Sequence, residues 1–198
     1  MALLDNVSKV LEPLLVLACA GVYSGGPWGS FKLAESVAYL LFRTSLLGLD
    51  RGIVWWFGRA EEGRYRRDLG ASLQLVLLAS VLGSLAMLGI SALGTADVRG
   101  MSLPFIQAAR IAAAIPLLAL SEVLYQANLN RRNLISRILG KNVVLPLTTF
   151  GGALLSHTVG GPGLPTWFLA GCTANFVVAA ISFARLHGLR ALAPRPPT

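Results

Sequence analysis

The sequence predicts an all-α integral membrane protein, a bundle of six transmembrane helices that takes up nearly all of its 198 residues. Three observations predict it. Hydrophobic residues make up 55% of the chain and charged residues only 13%, where a soluble domain carries about 25% charge; mean hydropathy is +0.65. Long apolar runs recur at 69–93, 111–120 and 168–183. Each connection between them is short and holds charge or Gly/Pro, with none of the strict alternation a transmembrane barrel needs. A soluble globular domain is excluded.

The first expected span, 6–23, stops at Ser24-Gly25-Gly26-Pro27, a run that cannot continue a helix. Ala18-Cys19-Ala20 has the small residues of a leader cleavage site. Asp5 and Glu12, however, precede a short apolar stretch with Lys9 as its one cation, so the segment reads as a retained helix. The second span is expected at 31–57 and the third at 69–94, separated by the charged stretch 58–68. The fourth, 103–129, follows the polar stretch 95–102. The fifth, 134–157, follows Asn130-Arg131-Arg132-Asn133, and the sixth, 164–187, follows Val159-Gly160-Gly161-Pro162-Gly163. The bundle thus occupies 1–190, and the Pro/Arg-rich end, 191–198, reads as a disordered cytoplasmic tail.

Net charge is +8, and its placement fixes an expected orientation, because short cytoplasmic loops retain Lys and Arg. With the N-terminus inside, Lys9, Arg59, Arg64, Arg66, Arg67, Arg131, Arg132, Arg137, Lys141, Arg185, Arg190 and Arg195 fall on the cytoplasmic side. Only Lys32 and Arg99 fall outside. Both termini are then cytoplasmic, and topology accounts for the basic charge without a nucleic-acid partner.

Chemistry-bearing residues are sparse. Cys19 and Cys172 lie in apolar segments and read as packing residues, so neither a disulfide nor a metal site is expected. The carboxylates are scattered singly, His157 and His187 lie near span ends, and no nucleophile elbow or phosphate loop occurs. No enzyme and no cofactor are expected.

Three arginines, Arg43, Arg51 and Arg110, fall within spans, where a cation costs at least about 2.5 kcal/mol at the bilayer centre and so faces protein or water. On a helix turning about 100° per residue, Ser36, Tyr39, Arg43 and Asp50 form one stripe, flanked by Glu35 and Arg51. Arg110 repeats the pattern on the fourth span, with Ser121 on its face and Gln107, Glu122 and Tyr125 to the sides. Two readings stay open: a hydrated, net-positive cavity lined by Arg43, Arg110, Arg51, Tyr39, Asp50 and Gln107, or structural pairing of the arginines with Glu35, Asp50 or Glu122. Pro13, Pro116 and Pro146 are candidate kinks. Ala79, Ser80, Gly83 and Ser84 have small-residue spacing for close helix packing, and Asn175 is a candidate interhelical hydrogen-bond donor.

The stretch Leu46-Leu47-Gly48-Leu49-Asp50-Arg51-Gly52-Ile53-Val54-Trp55-Trp56-Phe57-Gly58-Arg59 resembles the end of the second helix and following loop of oligosaccharide flippases. These form the polysaccharide-biosynthesis branch of the multidrug/oligosaccharidyl-lipid/polysaccharide export superfamily. Val7-Ser8-Lys9-Val10-Leu11-Glu12-Pro13, Trp28-Gly29-Ser30-Phe31 and the stretch 121–138, with its Asn128-Leu129-Asn130-Arg131-Arg132 turn, resemble the first helix, the entry to the second and the fourth-to-fifth junction.

The resemblance implies a fold of two six-helix lobes around a cavity that opens alternately to each side, of which this chain supplies the N-terminal lobe. It is then either part of a longer product or a half-transporter completed by a second six-helix lobe, from a homodimer or a separate chain. The implied partners are membrane lipids and a lipid-linked oligosaccharide of the polyprenyl-pyrophosphate class, exported for polysaccharide or O-antigen synthesis. The implied location is the bacterial inner membrane. Cation-coupled efflux of small molecules, which the wider superfamily also performs, and a non-transporting membrane assembly subunit are the alternatives.

Overall fold

The computed structural model describes residues 2–23, 25–49, 52, 62–93, 105–129 and 134–187. These are almost wholly helical, 92%, with no strand among them. Four helices are long and apolar enough to cross a membrane, Arg67–Ala92, Phe105–Leu129, Ile135–His157 and Leu164–Leu186, and they mark the chain as a membrane protein.

The helices are named in chain order: α1 (Ala2–Val22), α2 (Gly26–Ser45), α3 (Glu62–Leu93), α4 (Phe105–Leu129), α5 (Ile135–His157) and α6 (Leu164–His187). The first two are less apolar. The apolar part of α1 runs only from Val10 to Val22, and α2 carries Lys32, Glu35 and Arg43.

α4 is the hub, packed along α2, α3 and α6, and its C-terminal third, from Ser121 to Asn128, is buried on every side. Small residues let α2, α3 and α4 approach closely. Ser84 donates its hydroxyl to the Ala112 carbonyl at 2.8 Å, and Ser45 donates to the Ala79 carbonyl at 3.2 Å. A Cβ on Gly83 would lie 3.2 Å from Ser45 Oγ. The small residues of α3 thus pack helices, as their spacing predicts.

α4 and α6 are tied by a buried polar chain. Tyr125 donates its hydroxyl to the Asn175 carbonyl and Oδ1 at 3.0 and 2.9 Å, and Asn175 Nδ2 donates to Ser121 Oγ at 3.0 Å. Asn175 is therefore the interhelical donor its sequence position suggests.

Two features depart from a regular bundle. α5 contains two π-helical stretches, Ile138–Val144 and Leu147–Gly151, on either side of Leu145-Pro146. Pro146 lacks the N–H that would close a regular turn, and the widened turns bring Gly140 against the Tyr125 hydroxyl. Pro13 and Pro116, by contrast, lie in continuous α-helix.

The second departure is the end of α2. Its last helical residue is Ser45, inside the expected second span, 31–57, of which residues 50, 51 and 53–57 lie outside the described residues. Leu47 (φ 50°) and Gly48 (φ 76°) are consecutive left-handed residues, and these terminate a helix. The stop lies at mid-depth, not at a surface. Ser45 bonds to Ala79 and abuts Gly83, both in the middle of Arg67–Ala92, and Gly83 in turn faces Ile115 in the middle of α4.

Candidate functional site

α1 and α2 are close in sequence but pack on different partners: α1 packs on α5, whereas α2 packs on α3 and α4. Between them lies a cleft of about 170 Å³. Glu12 lines it from α1, and Glu35, Tyr39, Phe42 and Arg43 line it from α2. Lys141, Asn142, Leu145, Pro146, Thr149 and Phe150 form the α5 wall, with Leu118 of α4 and Phe168 of α6 behind. The irregular part of α5 is therefore the part that faces the cleft.

Arg43 lies in the last turn of α2, where a cation complements the helix dipole, and is exposed. Its guanidinium carbon is 5.4 Å from the Phe42 ring centroid, a cation–π distance. Tyr39 stands one turn further out, edge-on to Phe42 and to Phe168, each with centroids 6.2 Å apart. Glu35 is buried and paired with Lys32. The Lys32 ammonium also sits 5.6 Å from the Trp28 ring and 5.5 Å from the Phe150 ring.

The cation on the opposite wall is Lys141, which pairs with Glu122 Oε2. Glu122 is 1% exposed. Its other oxygen, Oε1, accepts from Gln126 Nε2 at 2.8 Å and from Arg137 Nη2 at 3.2 Å. Thr149 has a buried hydroxyl without a hydrogen-bond partner, its oxygen 2.3 Å from where a Cβ on Gly171 of α6 would stand. A buried unpaired hydroxyl is costly and calls for an explanation.

Among the described residues, the charges on the cleft wall and directly behind it are four cations, Lys32, Arg43, Arg137 and Lys141, against three carboxylates, Glu12, Glu35 and Glu122. The wall itself is balanced, Arg43 and Lys141 against Glu12 and Glu35, and the extra cation stands behind it. Two of the carboxylates are already held by cations, which leaves Glu12, exposed on α1, as the acid facing the cleft without such a pair.

No protein-family model, curated protein or solved structure matches the chain. The functional reading therefore rests on the cleft.

Of the residues expected to line one cavity, the structure brings Arg43 and Tyr39 together and does not bring Arg110 or Gln107 to them. Arg110 is exposed and donates from Nη1 to Thr166 Oγ1 at 2.7 Å, near the starts of α4 and α6. It stands eight residues, about 12 Å along the axis, from Leu118 on the cleft wall. Gln107, half-buried, is nearer still to the start of α4. Asp50 and Arg51 lie outside the described residues. Ser36, expected on the Arg43 stripe, is exposed and donates to the Lys32 carbonyl.

Sequence reasoning missed Lys141, Glu12, Asn142 and Thr149. Lys141 was assigned to the cytoplasmic charge set, although it stands seven residues inside the expected fifth span, two helical turns from its start. That depth was the available signal.

Proposed function

We propose that the chain is a six-span lobe of a flippase-type transporter. It translocates a lipid-linked oligosaccharide of the polyprenyl-pyrophosphate class across the bacterial inner membrane, with both termini cytoplasmic. A second six-helix lobe, from another copy or a separate chain, completes the pathway. The observation that carries this reading is the cleft: a polar recess that presents Arg43 and Lys141 from facing helices of an apolar bundle, placed near the end of α2.

Physical chemistry supports the assignment. A pyrophosphate carries at least two negative charges, and a guanidinium binds phosphate oxygens in a low-dielectric recess with charge-assisted hydrogen bonds. Tyr39 and Asn142 offer hydroxyl and amide groups suited to sugar hydroxyls. Leu14 and Leu17 on α1 and Leu33 and Leu40 on α2 are exposed, so both helices bordering the cleft present surface compatible with a prenyl tail. Glu35 and Glu122 are each held by a cation, which weighs against a cationic substrate and cation-coupled efflux.

A second reading, a non-transporting membrane assembly subunit, is favoured by the same ion pairs, since Lys32–Glu35 and the Glu122 cluster join elements irrespective of any substrate. Export separates the two. In cells that depend on this chain for glycan export, Arg43→Gln is expected to lower export at least tenfold at unchanged membrane abundance. Export at the wild-type level would reject Arg43 as a substrate contact and leave the assembly reading in place.

A further inference from the structure

The ion cluster behind the cleft is asymmetric in a way that a purely structural pair does not require. Glu122 carries one negative charge and is served by two cations that use different oxygens. Lys141 takes Oε2, while Arg137, with Gln126, takes Oε1. Lys141 is also the member of this cluster that lines the cleft; Glu122, Gln126 and Arg137 stand behind it. If Lys141 turns away, the carboxylate keeps a cationic and an amide donor on Oε1. A buried charge stripped of its sole partner would instead be strongly destabilised.

We propose that Lys141 is handed over from Glu122 to a phosphate-class anion, which the cleft holds between Lys141 on α5 and Arg43 on α2. Asn142, next to Lys141, places an amide on the same wall of the cleft. The Thr149 hydroxyl, two turns further along α5, is turned to α6 instead, where a Cβ on Gly171 would lie 2.3 Å from its oxygen. Arg137 is then a positioning residue: it acts on the anion only by holding Glu122 once Lys141 has left. Glu122 sets the affinity by competing with the anion for Lys141.

The inference rests on the reading of the cleft as an anion-handling site, but it concerns binding, and binding is measured apart from export. The test uses the full chain in nanodiscs of zwitterionic lipid, titrated calorimetrically with inorganic pyrophosphate and, separately, with farnesyl pyrophosphate. Both probes are expected to bind. Lys141→Gln should weaken both about tenfold or more, the worth of a charge-assisted hydrogen bond, and Lys141→Arg should restore most of the loss.

The handover makes two predictions that a fixed structural pair does not. Glu122→Gln should tighten binding several-fold, because the competitor for Lys141 loses its charge. Arg137→Gln should weaken binding several-fold although Arg137 does not line the cleft, because Glu122 then retains Lys141. Helicity and a monodisperse elution profile establish that each variant is folded, and if Glu122→Gln does not fold, Arg137→Gln carries the test. Absence of binding by the folded wild type, wild-type affinity in Lys141→Gln, or wild-type affinity in Arg137→Gln would overturn the proposal. Tighter binding of the farnesyl form assigns the site to a lipid headgroup. Equal affinities keep the handover but assign the site to a free anion, which would count against the flippase reading alone.

Discussion

Gly140 is where the packing of this bundle is least tolerant. A Cβ built on it would lie 1.8 Å from the Tyr125 hydroxyl oxygen and 2.8 Å from both Tyr125 Cζ and Asn175 Oδ1. Tyr125 is fully buried, so Gly140→Ala must push its ring out of place. The substitution breaks the two bonds from the Tyr125 hydroxyl to Asn175, and through Asn175 it loosens the link to Ser121. Each interhelical bond in a membrane is worth about 0.6 kcal/mol, and overpacking a filled site adds about 1–3 kcal/mol. A loss of about 2–4 kcal/mol is expected, read as equilibrium unfolding in mixed micelles titrated with SDS and followed by circular dichroism. In a Tyr125→Phe background the hydroxyl is already gone, so the further cost of Gly140→Ala should fall by about 1 kcal/mol. Stability of Gly140→Ala within about 0.5 kcal/mol of wild type, or strict additivity with Tyr125→Phe, would refute the packing argument.

Three other outcomes are expected. Gly48→Ala places a side chain at φ 76° and should cost about 1 kcal/mol, measured by the same unfolding titration, because the left-handed pair Leu47-Gly48 is what ends α2. Arg110→Gln removes an exposed bond to Thr166 away from the cleft; stability should change by under about 1 kcal/mol and glycan export should persist, in contrast to Arg43→Gln. Reporter fusions should place residues 25, 95 and 161 outside and residues 61 and 132 inside, which is the order required if the chain crosses the membrane twice before the four long apolar helices.

The helical class and most rod positions are legible in the sequence because apolar run length and turn residues carry them directly. The expected spans 103–129 and 164–187 fall on Phe105–Leu129 and Leu164–His187. The end of α2 was not legible. Leu46-Leu47-Gly48-Leu49 continues the apolar run, and a leucine at φ 50° leaves no mark in hydropathy. The site was half legible. The Arg43 stripe could be found because a cation within an apolar helix is conspicuous, and Tyr39 follows from helical spacing. Extending the same logic to Arg110 put two helices into one cavity, and only packing shows that Arg110 faces Thr166 while Arg43 faces α5. Lys141 was hidden by the positive-inside rule itself, which treats a cation near a span end as a loop charge and carries no information about a buried partner such as Glu122. The π-helical turns of α5 have one sequence correlate, Pro146, and the extent of the widened stretches depends on its contacts with α4 and α6.

Translocation measured in reconstituted vesicles tests the central claim most directly. Proteoliposomes loaded with a short-chain polyprenyl-pyrophosphate-linked labelled sugar, at a protein density that places several copies in each vesicle, report the rate at which inner-leaflet sugar becomes accessible to a membrane-impermeant reagent. The account predicts a protein-dependent rate that falls at least tenfold in Arg43→Gln, with the partner lobe co-reconstituted if it proves to be a separate chain. Folded wild-type protein that leaves the rate at the level of protein-free vesicles, or an Arg43→Gln variant that translocates as fast as wild type, would contradict it.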